Sequence, residues 1–217
     1  MKIFIDSGNL KEIESLVPLG IIDGITTNPS LLAKESGDYR EILKKICSIV
    51  KGPTSAEVVA TDYEGMIREG RDLASIDEHI VVKVPFTKDG VRACKALSSE
   101  GLRVNVTLVF SPTQGLIAAK VGATYVSPFI GRLDDIATSG MNLIHEIVDI
   151  FENYQFNTEV LVASVRHPIH VVEAARLGAD ICTCPAAVIE AMFRHPLTDI
   201  GLEKFLKDWE KAQAVKA

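Results

Sequence analysis

Lys83 stands in Val81-Val82-Lys83-Val84-Pro85, inside an otherwise apolar run. A charged ammonium in that setting is costly, so it must be paired or lose its proton part of the time. A deprotonated lysine can attack a carbonyl and form a Schiff base. The other reading is structural: an ion pair with a buried carboxylate, for which Glu57 and Asp6 are the candidates. Glu57 is embedded in Ser55-Ala56-Glu57-Val58-Val59, and Asp6 follows Ile3-Phe4-Ile5. An embedded carboxyl suits general acid/base work near neutral pH. For Glu57 the alternative is a salt bridge to Lys83. For Asp6 it is capping of the loop at Ser7 and Gly8. Asn28, just before Pro29, either makes an Asx-type turn or holds a substrate hydroxyl.

Further groups lie two residues apart, and so on one face of a strand: Asn105 with Thr107, and Ser164 with Arg166. Ser127 ends another apolar run, and Arg132 follows it. Arg166 precedes Pro168, which opens a helix whose N-terminus favours anions. Two arginines and Ser164 suit the oxygens of a phosphate; surface ion pairing is the alternative. The five histidines make no metal set. His167 and His170 are spaced i, i+3 with no carboxylate partner on that face, so a helix surface is expected for both. That argues against a metal ion polarising the carbonyl.

The elements that must carry these residues are eight short apolar runs about 25 residues apart: Lys2–Ile5, Gly24–Thr27, Thr54–Val59, Ile80–Val84, Arg103–Val109, Thr124–Ser127, Glu159–Ala163 and Asp180–Thr183. Most are near-continuously apolar, which suits parallel strands covered on both faces. Helical patterns fill the intervals. Asp38-x-x-Glu41 resembles a capping box ahead of Ile42, Leu43 and Ile46. Ser111-Pro112-Thr113-Gln114 supplies an N-cap, a first-turn proline and a glutamine. Met141–Phe151 and the segment after Pro168 carry apolar stripes. The reading is a (β/α)8 barrel, an α/β fold, forming one domain over residues 1–217. A further helix is expected at about 198–212, with Leu202, Phe205, Leu206 and Trp209 on one face. It packs either on its own barrel or on a neighbouring subunit. An open doubly wound sheet is disfavoured, because no G-x-G-x-x-G or phosphate-loop motif follows any strand. In a barrel, catalytic groups sit at the C-terminal strand ends, where these polar residues fall.

Composition sets limits on partners. The 217 residues carry 23 basic and 29 acidic groups, a formal net charge of −6. That leaves no electrostatic footprint for nucleic acid. No apolar stretch is long enough for a membrane span, and the first apolar run is too short for a signal peptide. A soluble cytoplasmic protein is expected. The four cysteines, including the Cys182-x-Cys184 pair, read as buried reduced thiols.

Taken together, the chain resembles the transaldolase family, in the short-chain subgroup that also contains fructose-6-phosphate aldolases. The matching stretches are Ile5-Asp6-Ser7-Gly8-Asn9, Thr26-Thr27-Asn28-Pro29-Ser30-Leu31, Ser55-Ala56-Glu57-Val58, Val82-Lys83-Val84-Pro85, Asn105-Val106-Thr107-Leu108, Ser127-Pro128-Phe129-Ile130-Gly131-Arg132 and Ala163-Ser164-Val165-Arg166. The resemblance implies cofactor-free and metal-free transfer of a dihydroxyacetone unit between sugar phosphates. It implies Lys83 as Schiff-base nucleophile, Glu57 and Thr107 as proton movers through a water, and Asp6 as the base for carbon–carbon cleavage. Asn28, Asn105, Ser127 and Phe129 would line the substrate pocket, and Arg132, Ser164 and Arg166 would bind phosphate. Glu57 and Phe129 match the transaldolase side, where the aldolases have Gln and Tyr. Ser7-Gly8 departs from the Thr-Ala of many relatives. The resemblance also implies a homo-oligomer, a decamer of two pentamers. Aldol cleavage with free dihydroxyacetone and a non-catalytic sugar-phosphate barrel are the competing activities.

Overall fold

Every apolar run expected as a strand is one. The computed structural model describes residues 1–214. Its strands are β1 (Lys2–Asp6), β2 (Gly24–Thr26), β3 (Thr54–Glu57), β4 (Ile80–Pro85), β5 (Val104–Val109), β6 (Tyr125–Pro128), β7 (Glu159–Val162) and β8 (Ile181–Cys184). They pair in parallel in chain order and close through β1 against β8, with Ile3 opposite Cys182. The fold is a (β/α)8 barrel.

Helices fill the intervals: α1 (Leu10–Leu16), α2 (Pro29–Leu32), α3 (Tyr39–Val50), α4 (Tyr63–Ala74), α5 (Lys88–Ser99), α6 (Pro112–Lys120), α7 (Ile130–Asp134), α8 (Gly140–Tyr154), α9 (Pro168–Arg176), α10 (Ala186–Met192) and α11 (Pro196–Ala214). The caps differ in detail from expectation. Asp38 caps α3 through the Arg40 N–H at 2.8 Å, with no return bond from Glu41. Gln114 Oε1 accepts the Phe110 N–H at 2.6 Å, one residue before its own N-cap Ser111. β3 ends at Glu57 instead of Val59. The N–H groups of Val59 and Ala60 both turn to Glu69 Oε2, at 2.7 and 2.9 Å, so they leave the ladder.

The barrel holds two kinds of packing. Outside the sheet, apolar strand residues meet the helices in one large core that includes Ile25, Val82, Val106, Val126 and Val162. Inside it, Phe4, Val81, Tyr125, Leu161 and Ile181 touch across the lumen and fill its lower part. The Phe4 and Tyr125 rings meet edge to face at 6.2 Å. Gly24 admits the Phe4 ring, because a Cβ there would lie 2.6 Å from it. While β7 stays apolar at Ala163, the inward positions two residues further along β1, β2, β4, β6 and β8 turn polar. They are Asp6, Thr26, Lys83, Ser127 and Thr183, with Asn105 beside them. A hydrophobic floor thus supports a polar upper layer, at the end where barrels carry chemistry.

All four cysteines are buried free thiols, as expected. Burial pushes Cys47 up to about 11 and Cys94 up to about 12, which keeps both neutral. Among the described residues no helix is long and apolar enough to cross a membrane. Helix α11 extends past both expected ends and buries none of its residues. Leu202, Phe205, Leu206 and Trp209 are all more than half exposed, so α11 does not pack on its own barrel.

Candidate active site

Lys83 is 4% exposed, at the centre of the polar layer. Its Nζ lies 3.0 Å from Glu57 Oε2 and donates to the Thr27 carbonyl at 3.1 Å. The pairing follows from register, because Lys83 is the direct neighbour of Glu57 on β3 and of Asn105 on β5. The alternatives of ion pair and reactive group are therefore not exclusive. The same carboxylate that balances the ammonium can take its proton.

Asp6 approaches from β1. Its Oδ1 accepts the Thr26 hydroxyl at 2.8 Å, and Thr26 Oγ1 lies 2.6 Å from Thr183 Oγ1. Burial holds the Asp6 carboxyl above the usual carboxylate range, against the opposing pulls of Lys83 and the Thr26 hydroxyl. Loop capping falls to Ser7 instead. Ser7 Oγ donates to Glu12 and accepts the Asn9 N–H. Gly8 packs under α2, where a Cβ would meet the Leu31 backbone at 3.3 Å, so an alanine here would press that helix outward.

On β5 and β6, Asn105 is fully buried. It donates to Ser55 Oγ at 3.1 Å and accepts from Ser127 Oγ at 2.8 Å. Thr107 follows at a bulge: Val106 to Val109 of β5 spans three residues against two from Val126 to Pro128 of β6. Leu108 absorbs the extra residue at φ +58°, a left-handed conformation unusual for a branched side chain. The Thr107 hydroxyl is buried and has no protein hydrogen-bond partner among the described residues. Asn28 caps α2 through the Leu31 N–H at 2.9 Å, which is its turn-forming part, and it also lines the cavity.

That cavity, of about 260 Å³, opens at the C-terminal end of the barrel. Eight of the eleven expected site residues line it: Asp6, Asn28, Lys83, Ser127, Phe129, Arg132, Ser164 and Arg166. Glu57, Asn105 and Thr107 are not among its lining residues; Glu57 meets the lining through Lys83 and Asn105 through Ser127. Glu57 also borders a larger cavity of about 700 Å³ among Leu32, Tyr39, Leu43 and Leu73. No lysine is among the residues that line it, whereas Lys83 lines the smaller one. Thr26, Thr183 and Pro185 are lining residues that sequence reasoning missed.

The mouth carries the cations. Arg132 lies over the Phe129 ring at 5.1 Å, and Phe129 meets Phe110 edge to face. Ser164, at φ +62°, turns the chain after β7 and accepts the Gly131 N–H on its carbonyl at 3.1 Å. A Cβ at Gly131 would lie 2.6 Å from Arg166 Nε, so the glycine lets the arginine cross α7. Arg166 Nη2 is held by Asp135 at 2.8 Å, with both groups half exposed. His167 is exposed, as expected, but His170 is not. His170 is buried, with Nε2 3.3 Å from Asp134 Oδ2. The expectation of a helix-surface histidine without a carboxylate partner is corrected here. The partner comes from α7, which the spacing within α9 could not reveal.

A family model described as transaldolase/fructose-6-phosphate aldolase matches residues 3–216. The chain belongs to this family. Probable transaldolases of Aquifex aeolicus and Kosmotoga olearia are 60% and 59% identical over 211 residues, covering 97% of each chain. A probable transaldolase of Nitrosopumilus maritimus is 60% identical over 215 residues, 99% of this chain and 97% of that one. The thiamine phosphate pyrophosphorylase of Pyrococcus furiosus superposes with a TM-score of 0.62 over 86% of both chains. At 16% identity it speaks to the barrel alone. The family places this chain among transaldolase-type enzymes.

Proposed function

We propose that the protein is a transaldolase that carries a dihydroxyacetone unit on Lys83. The donor is a ketose phosphate such as sedoheptulose 7-phosphate or fructose 6-phosphate. The acceptor is an aldose phosphate such as glyceraldehyde 3-phosphate or erythrose 4-phosphate, as in the non-oxidative pentose phosphate pathway. The observation that carries this reading is the buried Lys83 Nζ, 3.0 Å from Glu57 and open to the Asp6-lined cavity.

Each step has a group suited to it. Glu57 takes a proton from Lys83, which frees the amine to attack the donor ketone. Loss of water from the resulting carbinolamine needs protons moved again. The Thr107 hydroxyl has an unmet bonding capacity that a water shared with Glu57 would satisfy. The iminium is an electron sink. When Asp6 removes the proton of the neighbouring hydroxyl, the carbon–carbon bond breaks, the aldehyde leaves and the enamine remains. A carboxyl held above its usual range is a better base for this step. Asn28, Asn105 and Ser127 hold the three-carbon unit, while Arg132, Ser164 and Arg166 bind phosphate. The chemistry uses side chains alone, without cofactor or metal.

Fructose-6-phosphate aldolase activity is the second reading. Glu57 and Phe129 favour transfer over it, since a phenol at position 129 would offer the enamine a proton. A non-catalytic sugar-phosphate barrel is third, and the pairing of Lys83 with an acid/base group argues against it. The exposed apolar face of α11 supports a homo-oligomer, and the decamer of the short-chain subgroup is proposed for it. Light scattering of the full chain and of a truncation before Thr198 tests this. A cytoplasmic location agrees with the free thiols.

Borohydride treatment with fructose 6-phosphate should leave a mass increment on the Lys83 peptide and abolish activity. An unmodified Lys83 peptide in a fully active enzyme would refute the mechanism. Release of free dihydroxyacetone without acceptor, as fast as transfer, would favour the aldolase. Ligand binding with no turnover in either assay would favour the binding barrel.

A further inference from the structure

The Asp135 pair at the mouth is exposed on both sides, and such pairs contribute little to holding a side chain. Arg166 is also held through its backbone. Its N–H donates to His170 Nδ1 at 3.3 Å. The far nitrogen of the same ring, Nε2, lies 3.3 Å from Asp134 Oδ2. Asp134 Oδ1 in turn accepts the Gly140 N–H at 2.9 Å. One buried ring thus ties the segment after β7 to α7 and to the first turn of α8. The partners also set the tautomer. A nitrogen that receives a backbone N–H must present its lone pair, so Nδ1 is bare and the proton sits on Nε2, facing a carboxylate.

We propose that neutral His170 is a positioning residue for phosphate recognition, holding the Arg166 backbone so that the guanidinium addresses the cavity mouth, and that protonation of His170 weakens phosphate binding. The proposal rests on the reading of Arg166 as a phosphate ligand. A proton on Nδ1 would set donor against donor at the Arg166 N–H. The charged and titratable groups facing the ring are His167, whose ring lies tilted against it with centroids 3.8 Å apart, Arg166, Asp134 and Glu173. Burial, then His167, hold the imidazole below its ordinary 6.5, with Asp134 and Glu173 pulling the other way and Arg166 adding a little downward. His170 is therefore neutral through the physiological range, and the loss of phosphate affinity falls on the acid side of an ordinary histidine.

Inorganic phosphate, as a competitive inhibitor, tests this beside KM for phosphorylated and unphosphorylated sugars. His170→Leu should raise the phosphate inhibition constant about 3–10-fold near neutral pH, the worth of one neutral hydrogen bond. The loss should fall on KM for the phosphorylated sugar, and much less on kcat or on the unphosphorylated sugar. His170→Asn keeps an acceptor near the Nδ1 position without a titration. It should restore affinity and remove the part of the acid-side loss that wild type shows beyond phosphate's own titration. Nitrogen NMR of the wild-type protein should find the Nε2–H tautomer at neutral pH, whether or not the leucine variant folds. An Nδ1–H tautomer would overturn the proposal. So would an unchanged phosphate constant in His170→Leu while Arg166→Ala raises it. If Arg166→Ala leaves that constant unchanged, the phosphate reading fails and takes the proposal with it.

Discussion

Lys83 and Glu57 are direct partners in the β3–β4 ladder, and their side chains meet at 3.0 Å with little access to solvent. Each makes the other's burial tolerable, so removing one should cost more than removing both. Glu57→Ala should destabilise the fold by about 2–3 kcal/mol, toward the lower end for breaking a buried pair because Glu57 is partly open. Lys83→Met with Glu57→Ala should recover part of that loss. Urea unfolding of the two single variants and the double variant measures the coupling, and strict additivity would contradict it.

Asp6 should make the stability of the protein depend on pH. Its carboxyl titrates higher in the folded chain than the ordinary 3.8, because burial outweighs Lys83 and Thr26. The contribution of its protonated form is fully present below 3.8 and is lost as pH rises through the raised folded value. At neutral pH, Asp6→Asn should therefore be more stable than wild type, with the gap closing as pH falls through that window. Turnover should drop about 10²–10⁴-fold if Asp6 is the base for bond cleavage. Thermal melts between mildly acid and neutral pH, beside the transfer assay, give both readouts.

Phe129→Tyr should increase release of free dihydroxyacetone when no acceptor is present. The ring lines the cavity and is fixed by Phe110 and Arg132, so a hydroxyl added there has a defined place. A coupled assay for free dihydroxyacetone reads the effect, and no gain would argue against proton delivery from this position.

Gly131→Ala should be disruptive although alanine favours helices. Its Cβ would fall 2.2 Å from the Ser164 carbonyl oxygen and 2.6 Å from Arg166 Nε. Overpacking of this kind costs about 1–3 kcal/mol. The shift lies in the turn that carries Ser164 and Arg166, so under their proposed role KM for phosphorylated substrates should rise more than KM for unphosphorylated ones. Denaturant unfolding and paired KM measurements separate the two consequences.

Most strands were legible because their runs are nearly continuously apolar; β3, Thr-Ser-Ala-Glu, is the exception. The site was legible because a lysine and a glutamate inside such strands are too costly to bury without a partner or a chemical role. Thr26 and Thr183 were not. Short hydroxyl side chains are common in strands, and theirs acquire meaning only when the barrel closes β1 against β8 and brings the two together. The early end of β3 depends on Glu69, twelve residues beyond Glu57, reaching back to the chain. The bulge at Thr107 and Leu108 leaves no trace in an apolar run. His170 shows the same limit from the other side, since its spacing to His167 suggested an exposed helix face while its partner waited on another element.

The apolar floor of Phe4, Val81, Tyr125, Leu161 and Ile181 has a consequence for traffic. It closes the barrel beneath the cavity that holds Lys83, so that end offers no way in. Under the proposed transfer, donor and acceptor share the mouth at the C-terminal end, and the aldehyde cut from the donor must leave before the acceptor can enter. The enzyme should then alternate between free and three-carbon-loaded forms, and double-reciprocal plots of rate against donor at several fixed acceptor concentrations should be parallel.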